Sequence, residues 1–326
     1  MKTFHNLATV LALGVIAATA HAQIAPGVAA VEAQRVQQAR EMQKPLFRES
    51  SPQLYEGENR DAGPQYIVLR TERRQWIEAS LDSQFFYTSN VFLAEHNATG
   101  SSLFVNTIQA GFAPTPWDVP NGKLGVRVGY RHQFFSYGLG TSAGPQLNNF
   151  DFDVSTVYSQ VIYQFHDNWI GTVGLDYNRL LSPEQDGRAF YVEALPSWGL
   201  ERRFPFGENI LVSLAYQGNY HITRSDGPMA GINDRTDQIV ALTYSQQVIS
   251  KLIFQPYLRV QFTHYTNNNS RNDLTSSIGT SLTYFFTEWA SIRTFINYEM
   301  RESSDSIVQN YHKLDAGGGL SATILF

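Results

Sequence analysis

The stretch that decides the fold reads Lys123-Leu124-Gly125-Val126-Arg127-Val128-Gly129-Tyr130-Arg131-His132-Gln133-Phe134. Leu124, Val126, Val128, Tyr130, His132 and Phe134 alternate with Lys123, Gly125, Arg127, Gly129, Arg131 and Gln133. One set is apolar or aromatic; the other is basic, polar or lacks a side chain. A strict period of two marks a strand whose faces meet two different environments. The pattern returns at 209–222, where Ile210, Val212, Leu214, Tyr216, Tyr220 and Ile222 oppose Ser213, Ala215, Gln217, Asn219 and His221. It returns at 289–301, with Ile292, Ile296, Tyr298 and Met300 against Arg293, Asn297, Glu299 and Arg301, and again at 189–200, 252–265 and 273–286. Such runs exceed the soluble strand of about five or six residues. They fit a strand tilted across a bilayer, which needs about 9–11.

Twelve segments of this kind are predicted: 75–88, 101–113, 123–137, 150–165, 169–180, 189–202, 209–223, 236–248, 252–266, 273–286, 290–301 and 311–326. Alternation is blurred in the second, fourth and eighth. In the fourth, Phe150 and Phe152 fall out of phase with Val161, Tyr163 and Phe165, so a bulge is expected near Ser155–Tyr158. The connections alternate between mostly tight turns and longer polar loops, the asymmetry of an outer-membrane barrel. Trp76, Trp117, Trp169 and Trp289 all fall at the short-turn ends, as an interfacial aromatic girdle requires. Tyr and Phe gather near the long-loop ends.

The chain of 326 residues carries a formal charge of -5, no cysteine, 16% charged residues and 13% aromatics. Few charges and many aromatics exclude a disordered chain. The absence of a basic run argues against a nucleic-acid partner. Without cysteine there is no disulfide framework and no thiolate metal site. Residues 1–22 are predicted to be a secretory signal peptide: Lys2 precedes the apolar stretch Leu7–Ala20, and Ala20-His21-Ala22 is a small-residue cleavage site. Residues 23–74 form a leader: a helix-forming stretch at 28–44, then a linker with Pro45, Pro52, Gly57, Gly63 and Pro64. It reads either as a disordered leader or as a periplasmic contact or plug. The barrel domain is assigned to residues 75–326.

The chain closes with Leu320-Ser321-Ala322-Thr323-Ile324-Leu325-Phe326. A terminal Phe on an alternating last strand resembles the assembly signal of Gram-negative outer-membrane β-barrel proteins. Phe86-Tyr87-Thr88-Ser89-Asn90-Val91-Phe92-Leu93 is similar to the opening hairpin of the β-barrel porin families. The resemblance implies a cell outer membrane location after signal-peptide export, contact with outer-membrane lipid and lipopolysaccharide, and recognition of the C-terminal strand by the barrel assembly machinery.

The fold expected is all-β: a transmembrane antiparallel β-barrel of about twelve strands, with ten or fourteen as the alternatives, preceded by a short periplasmic helix and linker. Closure is obligatory because hydrocarbon leaves no partner for an open strand edge. By parity the candidate lumen residues are Lys123, Arg127, Arg131, Glu193, Glu201, His221, Arg259, Arg293, Glu299 and Arg301. Lys123, Arg127 and Arg131 project three cations from one strand. They read as a stripe guiding anionic solutes, or as charges paired across the lumen with Glu193 or Glu299. The function expected is a porin-like channel for passive diffusion of small hydrophilic solutes, with anions as the candidate class. The alternative is a closed structural or interaction barrel filled by side chains or the leader.

A hydrolase is less well supported, and no enzyme activity is expected. Outer-membrane phospholipases and lipid A deacylases use His and Ser two apart, and no His-x-Ser occurs. Asp151-Phe152-Asp153 offers half of an aspartyl-type pattern, but no Asp-x-His exists. Gly140-Thr141-Ser142-Ala143-Gly144 matches a nucleophile elbow in letters only, since it lies in a loop between two strands. No cofactor and no metal site are expected.

Overall fold

The computed structural model describes Ala39 and residues 76–138, 147, 150–165, 168–183, 187–225, 232–267 and 271–326. The predicted signal peptide, the predicted leader apart from Ala39, and the 140–144 motif lie outside the described residues. The chain forms β1 (Ile77–Thr88), β2 (Ser101–Phe112), β3 (Trp117–Val119), β4 (Gly122–Tyr137), β5 (Phe152–Phe165), β6 (Trp169–Ser182), β7 (Arg188–Phe206), β8 (Ile210–Ser225), β9 (Arg235–Ile249), β10 (Leu252–Tyr265), β11 (Asn272–Phe285), β12 (Ala290–Ser303) and β13 (Tyr311–Leu325). β3 is a three-residue strand folded back on the start of β4. The other twelve make the wall.

Every wall strand pairs antiparallel with its neighbours, β2 pairs with β4, and β1 pairs with β13 from Glu78 opposite Leu325 to Thr88 opposite Asp315. The sheet therefore closes, and no wall strand is left as an edge. Phe326 fastens the seam: its backbone N–H donates to the Ile77 carbonyl, and its own carbonyl accepts from Trp76 and Ile77. The short turns lie at one end of the barrel with the start of β1 and the end of β13. Asn121, Asn168 and Gly207 adopt positive φ there, where a chain must reverse in few residues.

The outer wall is apolar. Val128, Tyr130 and Phe134 on β4 are exposed, as are Val157, Val161 and Phe165 on β5, Leu214, Tyr216 and Ile222 on β8, and Ile292, Ile296, Tyr298 and Met300 on β12. In a soluble protein this would be an insoluble surface; around a transmembrane barrel it is the lipid-facing band. Trp76, Trp117 and Trp289 are exposed at the short-turn end, and Trp169 stands beside them under the Arg202 guanidinium, 5.1 Å from its ring centroid.

One expectation is corrected. β5 holds continuous register with β4 from Gly122–Phe165 to Phe135–Phe152, and with β6 from Gln164–Ile170 to Asp153–Leu181, so it carries no bulge near Ser155–Tyr158. The register shifts fall instead at Leu180/Leu181 and Leu252/Ile253. β5 keeps one phase throughout; Phe152 and Val154 are out of step because they point into the lumen, where an apolar cluster receives them.

Candidate functional site: the barrel lumen

The inward face has two chemistries. Towards the long-loop end, Phe86 of β1, Leu103 and Val105 of β2, Phe135 and Tyr137 of β4, Phe152 and Val154 of β5, Leu180 of β6, Tyr191 of β7 and Phe295 of β12 form one buried apolar cluster. Val91 and Leu147 join it from the loops. The Phe135 and Phe152 rings stack at 4.6 Å, inclined by 10°. The cluster runs along the inner wall from β12 through β1 and β2 to β7.

The rest of the inward face is mostly polar, interrupted by Ile239, Ile253 and Phe285, and several of its charges are paired. Arg127 donates to Glu78 of β1. Arg131 lies 3.7 Å from Asp176 of β6. The stripe's cations therefore meet Glu78 and Asp176, not Glu193 or Glu299, while Lys123 at the short-turn end is exposed. Arg293 is almost fully buried and grips Asp82 with both terminal nitrogens, at 2.7 and 3.0 Å, while donating to Ser321 Oγ at 2.9 Å. Lys313 sits between Glu299 at 3.4 Å and Asp315 at 3.3 Å, and Tyr311 donates to Glu299 at 2.9 Å. Arg259 donates to Gln261 at 2.5 Å. Arg301 donates to the Gln309 carbonyl at 3.0 Å and covers the Tyr311 ring at 4.5 Å. Glu201 accepts from Arg203 at 2.8 Å.

The densest network surrounds His221. Its Nδ1 lies 3.0 Å from Glu193 and its Nε2 2.9 Å from Asp237. Tyr191 and Asn178 donate to Glu193 at 2.7 and 3.1 Å, Thr263 donates to Asp237 at 2.7 Å, and Arg235 stands 3.7 Å from Asp237. Apart from Asn178 these groups are shielded from water, and such charges are tolerated only because each is partnered. The sequence reading placed Glu193 and His221 inside but missed Glu78, Asp82, Asp176, Arg235, Asp237, Lys313 and Asp315. Parity along β1, β6, β9 and β13 carries the signal for all seven. Among the described residues no cluster of His, Asp or Glu could hold a metal ion.

At the short-turn end, Ala39 is helical and fully buried against Ile253 of β10 and Phe285 of β11. Both side chains point inward, so this contact places one residue of the leader inside the barrel mouth. Farther along the same wall, Gln255, Ser281 and Thr283 face inward yet are sealed from solvent.

A closed wall with an apolar exterior and a polar, charge-paired interior defines a transmembrane β-barrel of the outer-membrane type. An outer-membrane channel from Pseudomonas putida F1 has the same fold: it superimposes with a TM-score of 0.52 at 11% identity, over 77% of this chain and 96% of that one. The NanC porin gives 0.41 at 12% identity over 74% of this chain and 98% of that one, and an anion-selective porin from Comamonas acidovorans 0.38 at 9% over 76% and 98%. No family model and no curated protein matches the sequence.

Proposed function

We propose that the chain is an outer-membrane channel for passive diffusion of small hydrophilic solutes. The observation that carries this reading is the mostly polar inward face of a closed barrel on the short-turn side of the apolar cluster. The solute class follows from the lining. Twelve strands about 4.8 Å apart and tilted roughly 40° give a backbone radius on the order of 12 Å, which leaves room for a sugar or an amino acid once side chains are counted. Charge selectivity is weak. Arg127 and Arg131 are compensated by Glu78 and Asp176, so anion preference rests mainly on Lys123.

A second reading is favoured by the Ala39 contact: Ala39 seats at the short-turn mouth against Ile253 and Phe285, and the barrel conducts only when this contact opens. One measurement separates the two. The refolded full-length chain is placed in a planar bilayer and its current and reversal potential are recorded across a salt gradient. Stable steps with a small anion-directed potential support the open channel. Silence from the full chain, with steps from a variant lacking residues 23–65, supports the plugged barrel. Silence from both sinks the channel.

A further inference from the structure

The outer wall carries one polar constellation that the channel reading leaves unused. His132 on β4 and Ser155 on β5 are directly paired across the two strands. Both belong to the lipid-facing set, with the exposed Tyr130 and Phe134 on one strand and Val157 on the other. Ser155 Oγ lies 2.9 Å from His132 Nδ1. The other ring nitrogen, Nε2, faces the Asp153 carboxylate at 3.8 Å. Tyr130 donates its hydroxyl proton to Ser155 Oγ at 3.1 Å. The His132 ring is held between its neighbours on the strand, with Phe134 edge-on at 4.5 Å and Tyr130 stacked at 6.3 Å. On the far side of Ser155, β6 presents the exposed Arg179 directly opposite.

Polar side chains facing hydrocarbon are costly, yet here four converge where the alternation would place apolar ones. Their height explains how they are tolerated. His132 lies eight residues beyond Leu124, which pairs with the girdle residue Trp117, or about 20 Å along the barrel axis for a strand tilted near 40°. The apolar band of such a barrel is about 25 Å tall. The cluster thus sits in the outer part of the band, about 5 Å below its upper edge and close beneath the ester linkages of the facing leaflet.

We propose that Ser155, His132 and Asp153 form a nucleophile, base and orienting acid that cleave acyl esters of lipids from the outer surface of the barrel. Such a constellation is recognised by geometry and roles, not by sequence order. With Nε2 protonated towards Asp153, Nδ1, which also lies 3.1 Å from the Tyr130 hydroxyl, accepts the Ser155 proton while Tyr130 donates to Ser155 Oγ. Oγ attacks the ester carbonyl carbon as its proton passes to His132. The tetrahedral intermediate collapses, the C–O bond to the lipid alcohol breaks, and His132 returns the proton to that oxygen. Water then attacks the acyl-serine, giving its proton to His132. Collapse releases the fatty acid and restores the Ser155 hydroxyl. Backbone N–H groups on both sides of β5 are taken by the ladder, so the oxyanion is met by the Arg179 guanidinium and the Tyr130 hydroxyl. The Asp153 contact is a charge contact at rest and tightens when the imidazole becomes cationic.

The test uses the full-length barrel folded in detergent and two substrates, phosphatidylethanolamine vesicles and purified lipopolysaccharide, with released fatty acid read by mass spectrometry. A fluorophosphonate probe reports the nucleophile independently, as an adduct on the peptide containing Ser155. The expected result is fatty acid release from at least one substrate and a Ser155 adduct. Both should be lost in Ser155→Ala, release should fall about 10²–10⁴-fold in His132→Asn, and adduct formation should slow in Asp153→Asn. Which substrate is cleaved identifies the lipid. Heat-modifiable gel migration verifies that each variant is folded. Release that persists in folded Ser155→Ala, or a wild-type barrel that neither takes the probe nor cleaves either lipid, overturns the proposal. If Ser155→Ala does not fold, the adduct on the wild-type chain decides alone.

Discussion

Gly317 and Gly319 stand at the seam where the last strand meets the first, and they are there because nothing larger fits. A Cβ on Gly317 would come within 2.3 Å of both the Phe85 carbonyl oxygen and the Phe86 Cβ. A Cβ on Gly319 would lie 2.8 Å from the Ser83 carbonyl. Gly317→Val should therefore force the seam apart and cost about 1–3 kcal/mol or more, read as a lower urea midpoint for the folded, heat-modifiable form. Arg293 is the second residue on which the wall depends. Its side chain is 1% exposed and bonded to Asp82 on the other side of β13. Arg293→Met should leave Asp82 uncompensated and destabilise the barrel by about 3–5 kcal/mol. Adding Asp82→Asn should recover part of that loss in a double-mutant cycle.

At the scale of elements, β5 shows how an apparent flaw in alternation encodes a second core. Phe152 and Val154 break the lipid-facing phase of Val157, Val161 and Phe165 because they serve the lumen cluster. Phe152→Ala should remove a stacking partner of Phe135, cost about 3–5 kcal/mol, and raise single-channel conductance if the channel is open. The inversion also puts Asp153 and Ser155 on the lipid side, beside His132. The leader is the other element with a testable contact. Ala39→Trp cannot be seated against Ile253 and Phe285, both fully buried, so it should open this contact. Conductance should rise towards that of the variant lacking residues 23–65; an unchanged current would show that this contact does not limit flow.

Across the whole molecule, charge is balanced inside the wall rather than striped. Arg127–Glu78, Arg131–Asp176, Arg293–Asp82 and Lys313 between Glu299 and Asp315 tie different strands together. Each pair trades net field for rigidity, so the proposed channel is expected to discriminate poorly by charge. Glu78→Gln should release Arg127 and shift the reversal potential towards anions, and the shift should shrink as salt rises, since screening shortens the reach of the freed cation. An unchanged potential would mean that the conducting path does not pass Arg127.

The alternation of Leu124 to Phe134 and its counterparts determined the strands, the barrel class and the inward position of Arg127, Glu193, His221 and Arg293, because a side chain's face follows from parity alone. Parity cannot say who meets whom. That Arg127 finds Glu78 rather than Glu193 is decided by closure, which brings β1 beside β2 and hence near β4. The same limit hid the outer-wall site: a search for His and Ser two apart along one strand cannot see His132 and Ser155 joined across two, since that contact exists only once the register of β4 on β5 is fixed. Local period and polarity are properties of the chain, whereas partners across a sheet are properties of its register and closure.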